Sequence, residues 1–391
     1  MEIKLVEEKD YQQIHQLRDY CFPNKYTDAR RKDFHHWVEH STTLGAYDGN
    51  KVVGQVLVLP LNMTIHGENY EMGGIGFVAS YPEYRQQGIV KKLMMESLRQ
   101  MRQNGQTVSV LAPFSVSFYR YFGWELFFDK LHYSIPQTLF PILGKKIDVM
   151  KRMSFEWVDP DLFQAIKEFH NEQALRTNGG MLRDDVWWNR LESRAPDSHL
   201  AAYFKDDQIA GYIRYAIQGT TFVVHDFVVK DMEAEQAIWR YVTSHAASVT
   251  TIQGVTANHQ HFGFYFQEPQ FKREIVQDIM VRIVDVLAFM KRYQWESVEK
   301  PLYVRIEDRF CEWNEQLYQI NGNGDVQIME ENTVAPASII TLPIHLFSAM
   351  MVGHLSIKEA VMFAGQQYDK EIIDRWQQAL PANKPVFYEY F

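Results

Sequence analysis

A pattern met twice along the chain limits its architecture more than any single motif does. Residues 44–54 read as two strands joined by a turn at Asp48 and Gly49, and residues 200–211 repeat that arrangement around Asp206 and Asp207. Phe77-Val78-Ala79 leads into a helical period from Gln86 onward, and Phe227-Val228-Val229 leads into another near Glu233. Further on, Phe262-Gly263-Phe264-Tyr265-Phe266 echoes residues 118–124. Three echoes in one order predict a duplicated unit, with chance recurrence of strand and turn patterns as the alternative.

Helical periods over residues 10–20 and 27–40 precede the first copy. It continues as an antiparallel meander through 55–61 and 70–80, then a buried strand at 107–111, a short helix at 116–121 and a strand near 124–128. Residues 129–150 read as a long strand and linker carrying Pro136 and Pro141, which sets a boundary near 145. The last hundred residues differ. Strands at 301–306, 313–320 and 326–329 surround the turn Asn321-Gly322-Asn323-Gly324, and helices follow around 343–353, 356–364 and 369–379. The expected division is 1–145, 146–285 and 286–391, in a mixed α+β and α/β class. A length of 391 residues agrees with it, at about 100–200 residues per domain.

A hydrophobic fraction of 46% and a charged fraction of 23% exclude a disordered or coiled-coil chain. The 14% of aromatic residues is high and compatible with a wide binding cleft. Two cysteines, Cys21 and Cys311, are too few for a disulfide framework. The first residues lack the basic start and apolar run of a signal peptide, and no stretch of about 18 apolar residues occurs. The expectation is a soluble cytoplasmic protein with no membrane partner. A net charge of -9 argues against nucleic acid and favours cationic partners.

The residues with the most chemistry lie between Gly76 and Leu93. A strand runs into a turn at Pro82, Arg85-Gln86-Gln87-Gly88 opens a helix, and Lys91 and Lys92 follow in its first turns. Unpaired N–H groups at a helix start, the helix dipole and a glycine that permits close approach suit a pyrophosphate. A basic helix start without a ligand is the alternative. No G-x-x-x-x-G-K-S/T is present, and Gly73-Gly74-Ile75-Gly76 precedes a strand, so neither a nucleotide triphosphatase nor a dinucleotide fold is expected. G-x-S-x-G is also missing. His35, His36, His40, His259 and His261 come nearest to metal-ligand spacing, without cysteine or carboxylate partners at such intervals, and no metal is expected. In the second copy, residues 229–237 contain no glycine and three acids, Asp231, Glu233 and Glu235, which would repel an anion. One cofactor site per chain follows, with the middle domain shaping the acceptor cleft. Phe34, Trp37, Trp187 and Trp188 are candidates to line it, though paired tryptophans are core residues at least as often.

Arg85-Gln86-Gln87-Gly88-Ile89 resembles the cofactor signature Arg/Gln-x-x-Gly-x-Gly/Ala of the GNAT superfamily of N-acetyltransferases, with Val90 in the last, small position. Together with the duplicated unit, the different final domain and Phe118-Tyr119-Arg120-Tyr121-Phe122-Gly123-Trp124, the whole chain resembles the enhanced intracellular survival (Eis) family of aminoglycoside N-acetyltransferases. That resemblance implies tandem GNAT folds, the first active and the second degenerate, followed by a sterol carrier protein-like α+β domain. It implies acetyl-CoA as cosubstrate, bound by Val78, Ala79 and Ser80, by Arg85, Gln86, Gln87, Gly88, Ile89, Val90 and Lys91, and by Phe114 and Ser115. It makes Tyr119 the general acid and the α-carboxylate of Phe391 the base.

A tyrosine of reference pKa about 10 suits a thiolate near 8–9, whereas a carboxylate near 3.5 is a weak base unless burial raises it. Without the resemblance, Tyr119 reads as core among Phe118, Tyr121 and Phe122, and the alternating tail 385–391 reads as a docked segment. The expected reaction is direct acetyl transfer in a ternary complex. The acceptor is a primary amine of a cationic small molecule, aminoglycoside-like, or a lysine-like amine, and the resemblance adds a homo-oligomer, a hexamer. A lipid or hydrophobic-ligand carrier, or a retired scaffold, is the competing reading, and the glycine loop at Gly88 speaks against a pure carrier.

Overall fold

Thr27 offers its hydroxyl to the Arg30 N–H and so starts the helix Asp28–His40, which packs beside the helix Tyr11–Cys21. The computed structural model describes residues 1–22, 27–144, 149–257, 261–330 and 335–391. Ile14, Leu17, Phe34, Trp37 and Val38 of these two helices are buried. They cover one face of a sheet whose centre is the meander Thr42–Asp48, Lys51–Ile65 and Glu68–Ser80. The other face is covered by the helix Ile89–Gln103, with Ile89, Leu93, Leu98 and Met101 buried, the expected apolar row. This helix begins at Ile89 and not at Gln86. Gln86 and Gly88 hold φ of 62° and 74°, outside the right-handed helical region, so the turn before Ile89 cannot be helical.

The first sheet is completed by a distant segment. Met280–Ile283 lies between Val108–Leu111 and Glu125–Leu126, antiparallel to both. The second sheet runs in the order Lys272–Val276, Lys130–Pro136, Thr251–Ala257, Thr221–Val229, Gln208–Gln218, His199–Lys205 and Val149–Ser154. Three strands thus cross the linear division read from the sequence: Lys130–Pro136 precedes position 145 but joins the second sheet, while Met181–Leu182, paired with Asn62 and Met63, and Met280–Ile283 return to the first. Position 145 itself lies outside the described residues.

The duplication is visible in the hairpin His199–Lys205/Gln208–Gln218 and in Thr221–Val229 followed by the helix Met232–Thr243. These match Thr42–Asp48/Lys51–Ile65 and Glu68–Ser80 followed by Ile89–Gln103. The third echo is weaker in structure. Residues 261–267 form turns, where residues 116–121 form a helix.

The third sheet has the order Val326–Met329, Leu317–Ile320, Leu302–Glu307 and Ile339–Pro343, the last two parallel. Its helices Ile344–Met351, Ile357–Phe363 and Lys370–Ala379 fall where expected. A core running through all three units includes Trp37, Trp187, Phe289 and Ile340. Arg282 of the first sheet and Asp308 after the third sheet's Leu302–Glu307 pair at 2.7 Å, both fully buried. Among the described residues no helix is long and apolar enough to cross a membrane.

Candidate active site

Glu68–Ser80 and Val108–Leu111 run parallel only from Met72 opposite Val108 to Ile75 opposite Leu111. On its other side Glu68–Ser80 stays paired with Lys51–Ile65 as far as Ser80 opposite Gly54. The two parallel strands therefore part after Ile75, and residues 76–80 keep one edge without a strand partner. At the parting Gly76 faces Leu57 and Ala79 faces Gln55, so Phe77 and Val78 share one opposing residue. This is a β-bulge, with Phe77 at φ 52° and its carbonyl accepting from Gln55 Nε2 at 3.3 Å. Val78, half-buried, and Ala79 and Ser80, both buried, lie along this unpaired edge, where backbone groups need partners. Such a wedge accepts an extended chain bearing amides.

The wedge opens toward the start of Ile89–Gln103. Gly88, at φ 74°, is its N-cap and no side chain caps the first turn. A Cβ on Gly88 would meet nothing within 4 Å, so the helix N–H groups face open space, flanked by exposed Arg85, Lys91 and Lys92. The loop residues differ in what they offer. Gln87 turns its amide back to the Glu83 carbonyl at 3.1 Å, Ile89 is buried under the helix, and Val90 packs on the same core. For these three the backbone N–H is the group available to an anion, and the exposed Gln86 and Arg85 complete the rim.

Tyr119 sits in the short helix Val116–Tyr121, which starts at Ser115, whose hydroxyl accepts from the Phe118 N–H. It is 4% exposed and packed with Phe114, Phe118 and Trp124, in one core with Val56, Ile75 and Leu111 at the parting. Burial alone pushes its hydroxyl well above the usual tyrosine range. Phe114, by contrast, is 74% exposed.

Phe391 reaches the opposite face. A Cβ on Gly73 would strike Met101, on the helix side where Tyr119 packs, whereas a Cβ on Gly74 would strike the Phe391 ring. The parting strands thus lie between Tyr119 and Phe391. The terminal arm forms no strand, but its burial alternates as its sequence does: Phe387 and Glu389 point inward, Tyr388 and Tyr390 outward. Phe34, Trp37, Trp187 and Trp188 are at most 1% exposed, so they line no open surface. Trp187 is floor below the arm, 6.3 Å from Phe391, with the Arg190 guanidinium against it and Trp37, while Phe34 packs on Phe77 and Trp188 on Phe163.

The second sheet parts in the same way, after Val223 opposite Gln253, with a bulge at His225. Its helix start is different. The Asp231 carboxylate accepts from the Ala234 N–H at 2.9 Å, and Glu233 and Glu235 stand in the first turn, so one donor is already capped and the charge there is negative. Of the histidines, His36 donates from Nε2 to the Val186 carbonyl at 3.1 Å and His40 donates from Nδ1 to the His36 carbonyl at 2.7 Å; His259 lies outside the described residues.

Residues 2–127 and 179–283 each match the family described as acetyltransferase (GNAT) domain, and residues 286–388 match the sterol carrier protein domain. The chain belongs to the GNAT N-acetyltransferases. An uncharacterized N-acetyltransferase of Streptomyces avermitilis is 21% identical to this GNAT enzyme over 310 residues, 73% of this chain and 74% of the relative. N-acetyltransferase Eis of Mycobacterium tuberculosis is 26% identical over 213 residues, 50% of this chain and 51% of Eis. A solved structure from Enterococcus faecalis, a probable N-acyltransferase, superposes with a TM-score of 0.90 at 27% identity, covering 100% of this chain and 99% of that one. An Eis protein of Mycobacterium abscessus shares the fold, with a TM-score of 0.82 at 15% identity over 100% and 98% of the two chains. Two GNAT domains followed by a sterol carrier domain make the GNAT enzyme Eis-like in architecture.

Sequence reasoning missed one group of residues beside this site. Arg183, Arg214, Asp226 and Glu389 form a buried charge network. The available signal was charge inside apolar patterns: Arg214 within Tyr212–Ile217, Asp226 within Phe222–Val229, Glu389 between aromatics. Burial raises Glu389 against the pull of Arg183; it would raise Asp226 too, but Arg183 and Arg214 hold that carboxylate well below its usual range.

Proposed function

We propose that this GNAT enzyme transfers an acetyl group to a primary amine on a cationic small molecule, aminoglycoside-like, or to a lysine-like amine, at the parting of Glu68–Ser80 and Val108–Leu111. The observation that carries this reading is the parting itself, with an uncapped helix start at one end and Tyr119 and Phe391 on its two faces. GNAT domains use acetyl-CoA, which supplies an acetyl group activated as a thioester. The open space at Gly88 fits a pyrophosphate, with N–H groups from Gln86 to Lys91 to hold it. The edge at Val78, Ala79 and Ser80 would hold the amide-bearing arm and present donors to a carbonyl oxygen, a strong source of rate enhancement when preorganised.

Tyr119 holds its proton at neutral pH, because burial disfavours the phenolate. It would therefore act first as a hydrogen-bond donor to the leaving sulfur, with full proton transfer completing as that sulfur departs. In a chain that ends at Phe391, the α-carboxylate would take the ammonium proton, directly or through water. The net charge of -9 agrees with a cationic acceptor. Assembly as a cytoplasmic homo-hexamer belongs to the same reading, and sedimentation would test the oligomer.

The test is an acetyl-CoA consumption assay over a panel of amines, on the native chain, on one lacking Phe391 and on one extended beyond it by two glycines. Turnover on polyamine or aminoglycoside acceptors that is lost in both altered, folded chains is expected. Turnover unchanged in both would remove Phe391 from the reaction, and no turnover on any amine would refute the acceptor class.

A further inference from the structure

The reaction proposed above makes no use of the charges buried in the second GNAT domain. Arg183 lies between Met181–Leu182 and the helix Asp185–Arg194, with its backbone fixed on both sides by Asn171: the Arg183 N–H donates to Oδ1 at 2.8 Å and Nδ2 donates to the Arg183 carbonyl at 3.0 Å. Its guanidinium grips Asp226 with Nη1 at 2.8 Å and Nη2 at 2.9 Å, and donates to Glu389 from Nε at 2.7 Å. Arg214, directly across the hairpin from Asp226, donates from Nε at 2.7 Å. The four side chains are 2%, 6%, 9% and 9% exposed for Arg183, Asp226, Arg214 and Glu389. Two positive and two negative charges balance. A buried set of this kind adds little net stability over apolar side chains, but its geometry is demanding, so its use is to fix position.

The network stands at the bulge where the second pair of strands parts. On the strand that diverges there, the Ala257 N–H donates to the Tyr388 hydroxyl at 2.9 Å. The parting that in the first domain faces open space at its helix start is, in the second, met by two consecutive residues of the terminal arm, Tyr388 directly at Ala257 and Glu389 through Arg183 to Asp226. Two residues beyond Glu389 the arm ends on Gly74, after Arg190 Nη1 has donated to the Tyr390 carbonyl at 3.0 Å.

We propose that the second GNAT domain is a clamp for the C-terminal arm, with Arg183 and Glu389 as positioning residues that set how far Phe391 reaches over the first sheet. The proposal rests on the reading that Phe391 serves the reaction at the first parting. Asp226 and Arg214 hold Arg183 in place, Arg183 holds Glu389, and the alternation of the arm carries that placement to Phe391.

The test uses the full chain with Glu389→Gln, which keeps the shape and removes the charge. Hydrogen exchange of the amides at 385–391 is expected to accelerate, and kcat to fall by about 100-fold, as for a reacting group misplaced by about 1 Å. The KM for acetyl-CoA is expected to hold, since the cradle at Gly88 is untouched. Should that variant fail to fold, Tyr388→Phe, which keeps the ring and removes the hydroxyl bonded at Thr256 and Ala257, decides by the same two readouts. Unchanged exchange, or a loosened arm with unchanged kcat, overturns the clamp. Removal of Phe391 separates the two ideas: if turnover survives it, the reading of Phe391 fails; if turnover is lost there but kept in Glu389→Gln, only the clamp fails.

Discussion

The Phe391 ring fills the space that a side chain at Gly74 would need, with Cε2 2.8 Å and Cζ 3.0 Å from a Cβ built there. The adjacent Gly73 is crowded from the other face, by Met101 Sδ at 2.6 Å. Gly74→Ala should displace the ring, which belongs to a terminal arm outside any strand, and within the sheet should press only on the end of the Leu61 side chain, Cδ1 at 3.0 Å. The expected result is a kcat lowered about 10- to 100-fold, with the melting temperature within about 4 °C of the native chain. Gly73→Ala presses on the core instead, and should lower the melting temperature while kcat is retained. Thermal melts paired with steady-state kinetics check both.

Gly88 bears on the cosubstrate. Valine there would place a branched side chain before the helix N–H groups and force a left-handed backbone, at about 1–2 kcal/mol. Asparagine tolerates that backbone and leaves only the obstruction. Both variants should raise the KM for acetyl-CoA, about fivefold to thirtyfold for the loss of 1–2 kcal/mol of anion binding, and only the valine should lower stability. An unchanged KM in both would remove the helix start from the site.

Tyr119→Phe removes a hydroxyl with no hydrogen bond to another described residue, so stability should stay within about 0.5 kcal/mol. The kcat should fall about 100-fold or more. Because burial keeps the native hydroxyl protonated, no decline in kcat should arise from this group below about pH 10. A decline between pH 8 and 9, on the order of one proton, that vanished in Tyr119→Phe would contradict the assignment.

Acid sensitivity should come from two buried histidines. His66, bonded to the Met351 carbonyl, and His170, bonded to the Tyr212 hydroxyl and the Met181 carbonyl, are pushed down by burial to about 4 and about 3. Both stay neutral in the fold while the unfolded chain takes up protons below about pH 6.5. Stability is therefore complete above that pH and is lost as pH falls toward the folded values, by about 1.4 kcal/mol per pH unit for each histidine. Urea midpoints between pH 7 and 5 should fall accordingly, and His170→Gln should reduce the slope by one proton. A flat profile would contradict this.

Local order was legible in the sequence wherever it rests on local physics. Periodicity located the helix Asp28–His40 and the meander, and the glycine after Arg85 marked the uncapped helix start. Pairing between distant strands left no such trace: nothing in Met280-Val281-Arg282-Ile283 announces that its partners are Val108–Leu111 and Glu125–Leu126. Ile339–Pro343, five residues ending in proline, has no counterpart among the elements read from the sequence, for the same reason. The aromatic candidates Trp37 and Trp187 were legible as residue types but not as floor rather than lining, since burial is decided by what packs above them. The charge network escaped because each member is a single polar residue in an apolar run, and only the fold brings Arg183 to Glu389.

The central claim is that one parting per chain, in the first GNAT domain, receives acetyl-CoA. A crystal structure of the full chain grown with coenzyme A tests it directly. The account predicts the pyrophosphate at the start of Ile89–Gln103, the pantetheine arm between residues 76–80 and Leu111, and no coenzyme A beside Asp231. Coenzyme A bound at the second parting, or a first parting closed by side chains, would contradict it.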